Sequence, residues 1–419
     1  MQKKAIASKY TKSIMFFFLF MFFSSFCLSA WSSPYIYGIH SWSKNAKSIL
    51  SIGDKKVWTV ELYSVDSGWP LDINRFEELK SEGFIPILHV VKNFSNATIP
   101  LSGDCNDYGN TLVNILTPAK DLIQYIVIGN EMNSTNAANG SGIEAGQYIN
   151  CFKAIRTKIK TAFSNMQVII GPVALWNPST NCSEGPYTFN NTFDYVYRNY
   201  LFCLAKKAGN DTDGFAMKAV GGKNSDSDPK DDDFYGFQAF SVQSDIIKSA
   251  LPSVSIHKPI YILEFHHGGD GVTTISGTNE KGPVFSYPSG FLLNAYEAIN
   301  SYNNEAINIS EIIGTRIKMA AWWVYDLQGW NGFAMYNDTL KQNDFKSAIA
   351  NNYMNSCKSS NSRNSEITSF VVPKTMTVGN IEHVEITMRN IASEVWSRNE
   401  RIRFGTTAPL AEHKNQFLW

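Results

Sequence analysis

The chain has 419 residues and a formal net charge of zero, with 37 Lys and Arg against 37 Asp and Glu. Hydrophobic residues make up 44% and aromatic residues 13% of it. This composition excludes an intrinsically disordered chain, which is poor in aromatics and strongly charged. It also argues against a nucleic-acid-binding protein, because no basic excess is available to neutralise phosphates. The length allows one large domain followed by a small one.

The first 30 residues have the pattern of a secretory signal. A basic start is followed by an apolar run and then by two small residues: Lys3, Lys4, Lys9 and Lys12, then Ile14 to Leu28, then Ser29 and Ala30. The run is about 15 residues long, shorter than the roughly 20 that a membrane-spanning helix needs. The sequence therefore predicts a signal peptide over residues 1–30 rather than an uncleaved anchor. We expect a secreted protein, extracellular or periplasmic, with no membrane span after cleavage.

Export permits disulfide bonds, and five cysteines follow the signal segment. They are Cys105, Cys151, Cys182, Cys203 and Cys357. An odd number leaves at least one of them unpaired within the chain. Cys182 and Cys203 lie around one predicted loop–helix unit, which favours a bond between these two.

Eight short apolar runs, rich in β-branched and aromatic residues, alternate with helix-like segments. The runs are Tyr35–His40, Val57–Tyr63, Phe84–Val91, Tyr125–Gly129, Val168–Val173, Gly214–Val220, Pro259–Glu264 and Met319–Tyr325. Continuous rather than alternating hydrophobicity is typical of parallel strands that are buried on both faces. Eight such β-α units predict an α/β fold, a (β/α)8 TIM barrel, over residues 31–356. The rival is a doubly wound open sheet, but no GxGxxG opens a helix after the first strand.

Two of the predicted strands end in a glutamate. The fourth ends in Gly129-Asn130-Glu131 and the seventh in Leu263-Glu264. In a barrel of this kind the carboxyl ends of the strands form the catalytic face. A carboxylate at the end of a buried strand is costly unless it is paired or used. One such residue can simply cap the next helix, whereas two indicate a pair that acts together.

These motifs resemble those of the clan A glycoside hydrolases, which are retaining enzymes built on (β/α)8 barrels. The similar segments are Gly129-Asn130-Glu131-Met132-Asn133, Asp213-Gly214-Phe215-Ala216-Met217-Lys218, Ile262-Leu263-Glu264-Phe265 and Trp322-Trp323. The resemblance covers roughly residues 35–356, and it implies hydrolysis of O-glycosidic bonds in a polysaccharide or oligosaccharide without a cofactor. Glu131 is then the acid/base and Glu264 the nucleophile of a double displacement, and Asn130 holds the sugar 2-hydroxyl. We expect burial and the second carboxylate to raise the pKa of Glu131.

The sequence departs from the clan pattern at two places. Lys218 stands near the end of strand six, where many relatives carry His or Tyr, and strand two contains Glu61 without a clear Arg at its end. Both departures favour an alternative, a non-catalytic carbohydrate-binding barrel. A cell-surface adhesion protein is a third possibility.

Further substrate-binding candidates lie near other strand ends. His40 and His89 could hydrogen-bond a sugar or could simply be satisfied core histidines. Trp323 is the preferred platform for a sugar ring over Trp322, because neighbouring side chains of a strand face opposite ways. His266, His267 and Asp270 match no strong metal-binding spacing, so no metal is predicted.

The last 63 residues differ in composition from the barrel. Residues 357–366 are rich in Ser and Asn and predict a linker. Residues 367–419 contain alternating strand-like segments that are similar to part of a four-tryptophan Ig-like β-sandwich. They cover about half of such a domain, whose role we expect to be attachment or spacing.

Overall fold

The computed structural model describes most of the barrel and two strands of the C-terminal part. The described residues are 33–93, 98–100, 103–135, 142–175, 179–180, 182–187, 192–220, 237–251, 258–267, 272–275, 278–283, 286–308, 316–354, 365–371 and 385–390. The chain divides into two compact units after Asn355. The predicted signal peptide, Asp270 and Cys357 lie outside the described residues.

The first unit is a closed barrel of eight parallel strands, which confirms the predicted (β/α)8 fold. The barrel strands are β1 Tyr37–His40, β2 Trp58–Ser64, β3 Ile85–Val91, β4 Tyr125–Ile128, β5 Gln167–Ile170, β6 Phe215–Val220, β7 Ile260–His266 and β10 Ile317–Trp322. Each pairs in parallel with its neighbours, and β1 closes the barrel by pairing with β10. Each predicted apolar run overlaps one of these strands.

Helices follow the strands and cover the outside of the barrel. They are α1 Ala46–Ile49, α2 Ile73–Ser81, α3 Cys105–Leu116, α4 Ala145–Ala162, α5 Thr192–Ala208, α6 Ala239–Ala250, α7 Phe291–Asn308 and α8 Thr339–Ala350. Two short strands, β8 Val272–Thr274 and β9 Lys281–Pro283, form an antiparallel pair in the connection after β7. The chain between β7 and α7 therefore carries its own small hairpin.

The apolar side chains of the barrel strands form two separate layers. One fills the barrel interior: Trp58, Val60, Ile85, Ile87, Tyr125, Val127, Ile169, Ala216, Tyr261, Leu263, Met319 and Ala321. Their strand neighbours face outward and pack against the helices. The fully occupied interior means that this barrel is a packed core and not a pore. Chemistry is therefore confined to the mouth at the carboxyl ends of the strands.

Two disulfide bonds form within the described residues. Cys182, in the loop before α5, is joined to Cys203 on α5, which confirms the predicted pair. Cys105 on α3 is also bonded to Cys151 on α4, a pair that the sequence left open. Both bonds are compatible with an exported protein. No helix within the described ranges is long and apolar enough to cross a membrane.

The second unit contains an antiparallel pair of strands, β11 Ser365–Val371 and β12 Glu385–Asn390. The pairing shifts register between Ile367 and Ser369. The rest of the predicted Ig-like segment lies outside the described residues, so the sandwich stays a prediction.

Candidate active site

Glu131 follows β4 in an unusual backbone conformation. Its φ is +49°, in the left-handed region that residues other than glycine seldom adopt. The backbone N–H of Glu131 donates to the Pro172 carbonyl at 2.7 Å, and its own carbonyl accepts from Ser134 N at 2.9 Å. Backbone strain of this kind is held by its surroundings and is frequent at functional sites. The turn fixes the direction in which the Glu131 side chain leaves the strand.

The loop that carries Glu131 is clamped against the end of β5. Gly171 approaches the loop so closely that a Cβ atom there would lie 2.1 Å from the Gly129 carbonyl oxygen. The Asn133 side chain donates to the Ala174 carbonyl at 2.9 Å and accepts from the Ala174 N–H at 2.6 Å. These contacts tie the connections after β4 and β5 together, so the position of Glu131 is set by the barrel itself.

Glu264 is turned toward the barrel mouth by an irregularity in β7. Met217 pairs with Ile262, but the next residue, Lys218, pairs with Glu264. Leu263 is therefore an extra residue on β7, as in a β-bulge, which redirects the side chain that follows it. Leu263 faces the interior, so simple alternation would have sent Glu264 to the helix-covered outside.

Lys218 lies between the two glutamates. Its Nζ is 2.8 Å from Glu131 Oε1 and 3.0 Å from Glu264 Oε2. The side chains of all three residues are largely buried, with exposures of 14% for Lys218, 25% for Glu131 and 18% for Glu264. Because both oxygens contact one nitrogen, they lie no more than about 6 Å apart, which compares with roughly 5–5.5 Å between the carboxyl groups of retaining glycosidases. The structure thus brings the two predicted glutamates together.

The charge of Lys218 shifts the pKa of Glu131 in the direction opposite to the expected one. Attraction to the Lys218 ammonium lowers the pKa of Glu131 and outweighs burial, which acts in the opposite direction. The expectation of a raised pKa is therefore wrong, because it did not include a cation at hydrogen-bond distance. As the site stands, Glu131 is ionised at neutral pH.

Lys218 itself is held as a cation. Burial disfavours the ammonium, but attraction to Glu131 and Glu264 is stronger, and the pKa of Lys218 lies above its usual value. An amine must be deprotonated to attack a carbonyl carbon. The protonated state of Lys218 therefore argues against a Schiff-base role for it.

Two histidines lie next to this cluster. His89 Nε2 donates to the Gly129 carbonyl at 2.9 Å, since a carbonyl can only accept. Burial lowers the pKa of His89 to about 4. His40 Nδ1 contacts Ser41 Oγ at 2.9 Å. Burial, followed by electrostatic interactions with His89 and Lys218, keeps the pKa of His40 well below the usual value. Both rings are neutral at pH 7, and His89 supports the turn that leads to Glu131.

Trp323 and Trp322 face opposite ways, as strand alternation predicts. Trp322 packs among the helices against Phe265, with ring centroids 5.5 Å apart. Trp323 lies beside His40, with centroids 4.3 Å apart, and its ring also meets Trp330. Its indole Nε1 has no hydrogen-bond partner among the described residues. Of these two tryptophans, Trp323 is therefore the one near the barrel mouth.

Asn130 lies in the same turn as Glu131, directly before it in the chain. Its backbone N–H donates to Thr98 Oγ1, and its side-chain oxygen Oδ1 is buried with no partner in the described part of the chain. A buried amide oxygen without a donor is costly, which makes it a candidate to receive a hydrogen bond from a ligand hydroxyl.

Glu61, which the sequence placed in strand two, does not face the site. It points outward, where Arg75 Nε of α2 donates to Glu61 Oε2 at 2.6 Å and Thr59 Oγ1 donates to Oε1 at 2.8 Å. The pair attaches α2 to β2. Across the described ranges, no three His, Cys, Asp or Glu side chains are grouped so that they could hold a metal ion.

Sequence reasoning missed two features of this site. The first is the bulge at Leu263, which leaves no mark in the sequence. The second is the contact of Lys218 with both glutamates. This contact could have been predicted from the sequence, because a lysine inside the otherwise apolar strand Phe215–Val220 needs an anionic partner.

Comparison with known proteins gives a likeness in fold. No protein-family model and no curated protein sequence matches the chain. Among solved structures, AbfB, a family 51 α-L-arabinofuranosidase from Bifidobacterium longum, is 10% identical with a TM-score of 0.47, covering 77% of this chain and 75% of that one. The family 1 β-glucosidase from Thermotoga maritima is 11% identical with a TM-score of 0.44, covering 77% and 99%.

A structure from a study of two fungal β-1,4-galactanases is 13% identical, with a TM-score of 0.44, and covers 69% of this chain and 89% of that one. At identities of 10–13% and TM-scores below 0.5, no activity is transferred to this chain from these structures.

Proposed function

We propose that this protein is an exported retaining glycoside hydrolase that cleaves O-glycosidic bonds of a polysaccharide or oligosaccharide. The observation that carries the proposal is the meeting of Glu131 and Glu264 at one Lys218 ammonium, at the carboxyl ends of β4 and β7. The two carboxylate oxygens that contact Lys218 lie no more than about 6 Å apart, a limit compatible with the roughly 5–5.5 Å between the carboxyl groups of retaining enzymes. The disulfides Cys105–Cys151 and Cys182–Cys203 support export.

In the proposed first step, Glu264 attacks the anomeric carbon while Glu131, in its protonated form, donates its proton to the departing oxygen. A glycosyl ester of Glu264 results. In the second step the ionised Glu131 removes a proton from water, which attacks the same carbon and releases Glu264. The configuration at the anomeric carbon is retained because it is inverted twice.

Binding of the sugar at the barrel mouth would use groups that now lack partners. The buried Asn130 Oδ1 is suited to accept a hydrogen bond from the sugar 2-hydroxyl. Trp323, 7% exposed beside His40, is the candidate platform for a sugar ring, and its Nε1–H, which lacks a partner among the described residues, is a candidate donor. His89 is assigned a supporting role through the Gly129 carbonyl.

A second candidate function is a non-catalytic carbohydrate-binding barrel. The observation that favours it is the ion pair between Lys218 and Glu131, since an ionised carboxylate cannot act as an acid. In that case the three charged side chains would be a closed ionic cluster, and the sugar would bind without being cleaved.

Hydrolysis assays separate the two functions. The full-length secreted protein is incubated with a panel of aryl glycosides and polysaccharides over a range of pH, beside the Glu131→Ala and Glu264→Ala variants. We expect cleavage by the parent protein, loss of it in both variants, and a first product with the substrate's own anomeric configuration by NMR. Activity that survives both substitutions, or an inverted product, would refute the proposed site. Binding to a polysaccharide array without turnover at any pH would establish the second function instead.

A further inference from the structure

Lys218 contacts the carboxylate that would have to carry a proton. The ammonium has hydrogens to donate and no lone pair to accept with, so its contact with Glu131 favours a carboxylate oxygen that carries no proton. A general acid needs the opposite state, a carboxyl group that still holds its proton when substrate arrives. Lys218 therefore works against the acid form of Glu131.

The contact is built into the sheet and is not a loose surface pair. Lys218 belongs to β6, and its carbonyl accepts a hydrogen bond from Gln243 Nε2 of α6 at 2.9 Å. Gln243 is fully buried. The bulge at Leu263 places Glu264 directly beside Lys218 on the neighbouring strand. The backbone positions of Lys218 and Glu264 are therefore fixed by the barrel, and the Lys218 side chain is only 14% exposed beside the two glutamates.

Among the described residues, titratable groups of three other strands lie near Glu131. Glu264 on β7 contacts the same ammonium. His89 on β3 is neutral at pH 7, since burial lowers its pKa to about 4. Lys218 on β6 supplies the nearby positive charge. Removing that charge leaves the two carboxylates without the cation that contacts both.

We propose that Lys218 is a positioning residue that decides the pH at which Glu131 can hold a proton, and that it confines hydrolysis to acidic conditions. The hydrolytic part of this inference rests on the proposed function, whereas the control of Glu131 by Lys218 does not. In the reaction the proton passes from Glu131 to the glycosidic oxygen, the bond from that oxygen to the anomeric carbon breaks, and Glu264 bonds to that carbon. Lys218 forms and breaks no covalent bond.

The test combines a titration with a rate profile. Glutamate carboxyl carbons are labelled with ¹³C and titrated by NMR in the wild type, Lys218→Met and Lys218→Arg, with Glu131→Gln to assign the Glu131 signal. The matched control is Lys153→Met, which removes the ammonium that lies 2.8 Å from Asp211, just before β6. The pH dependence of kcat/KM on an aryl glycoside is measured for the same proteins.

We expect Lys218→Met to raise the pKa of Glu131 by about 1–3 units, the usual effect of losing an opposite charge in contact. Lys218→Arg, which keeps the charge, and the control Lys153→Met should leave it near the wild-type value. The alkaline limb of the rate profile should move upward in Lys218→Met by the same amount. If that variant does not fold, Lys218→Gln removes the charge with a polar side chain.

An unchanged Glu131 pKa after loss of the Lys218 charge overturns the inference. So does a rise in that pKa with an alkaline limb that stays in place. A rise in the pKa without hydrolysis by any variant would instead leave the control of Glu131 by Lys218 standing and refute the hydrolase. The two failures are therefore distinguishable.

Discussion

Lys218 and Glu264 stand side by side because β7 has one more residue than β6 at that point. The extra residue, Leu263, keeps its side chain in the barrel interior, and Glu264 follows it toward the mouth instead of turning outward. The same geometry brings the ammonium within 3.0 Å of Glu264 and 2.8 Å of Glu131. The bulge thus places Glu264 beside Lys218, and the turn after β4 supplies Glu131 as the third charge.

The role of Glu131 as proton donor predicts a dependence on the leaving group. Glu131→Gln should lower kcat/KM by about 10²–10⁴-fold on a disaccharide, because a sugar alkoxide is a poor leaving group without a proton. The loss should be much smaller on an aryl glycoside whose phenol departs unaided. The control is Glu77→Gln on the exposed face of α2. Equal losses on both substrates would contradict the assignment of Glu131 as the acid.

The close approach of Gly171 to the β4 turn predicts a cost for any side chain there. Gly171→Ala puts a Cβ 2.1 Å from the Gly129 carbonyl oxygen, so the turn that carries Glu131 must shift. We expect a loss of about 1–3 kcal/mol in the free energy of unfolding, measured by urea denaturation, together with a fall in activity.

Gly146 on α4 provides the matched control for this substitution. A Cβ there meets its nearest atom, Lys207 Cδ, at 3.9 Å. Gly146→Ala should therefore stabilise the protein by about 0.4–1 kcal/mol through the lower entropy of the unfolded chain. A Gly171→Ala protein as stable as Gly146→Ala would show that the close contact is not maintained in solution.

The two disulfides should contribute unequally to stability. Cys105–Cys151 closes a sequence separation of 46 residues and Cys182–Cys203 one of 21. The loop-closure model gives about 4 and about 3 kcal/mol for these lengths. The paired substitution Cys105→Ala with Cys151→Ala should therefore lower the free energy of unfolding more than Cys182→Ala with Cys203→Ala. The reverse order in chemical denaturation would mean that native-state packing, not loop length, sets their contributions.

Buried neutral histidines predict a loss of stability on the acid side of neutrality. Burial lowers the pKa of His89 and of His266 to about 4, against 6.5 for the free side chain. Between these values the unfolded chain binds protons that the folded chain does not, so stability is present above about pH 6.5 and falls as the pH drops toward 4. Each histidine can contribute up to about 3 kcal/mol to this loss.

Thermal unfolding midpoints between pH 7 and pH 4 measure the effect. His89→Gln, whose amide can still donate to the Gly129 carbonyl, should flatten the curve. The control is the same series at high salt, because salt screens exposed ion pairs but not the cost of charging a buried ring. A curve that His89→Gln leaves unchanged would contradict a native-state pKa near 4 for this residue.

The sequence by itself determined the barrel. Eight apolar runs with helical segments between them leave few other ways to bury so much hydrophobic surface, and each run overlaps an observed strand. It also indicated which residues gather at the mouth, because Glu131, Glu264, His40, His89 and Trp323 all lie near strand ends. The disulfide Cys182–Cys203 could also be predicted, because its two cysteines lie around one local loop–helix unit.

Only the tertiary structure decided where Glu264 points and how Glu131 is charged. If side chains simply alternated after Leu263, Glu264 would point away from the site. The observed register of β7, which turns Glu264 toward the site, depends on its pairing with β6 and β10. The pKa of Glu131 likewise depends on an ammonium 87 positions later in the chain. Local sequence patterns indicate which side chains are buried. The bulge at Leu263 and the contact between Lys218 and Glu131 arise instead from the way distant strands pair. The contact with Lys218 then lowers the pKa of Glu131.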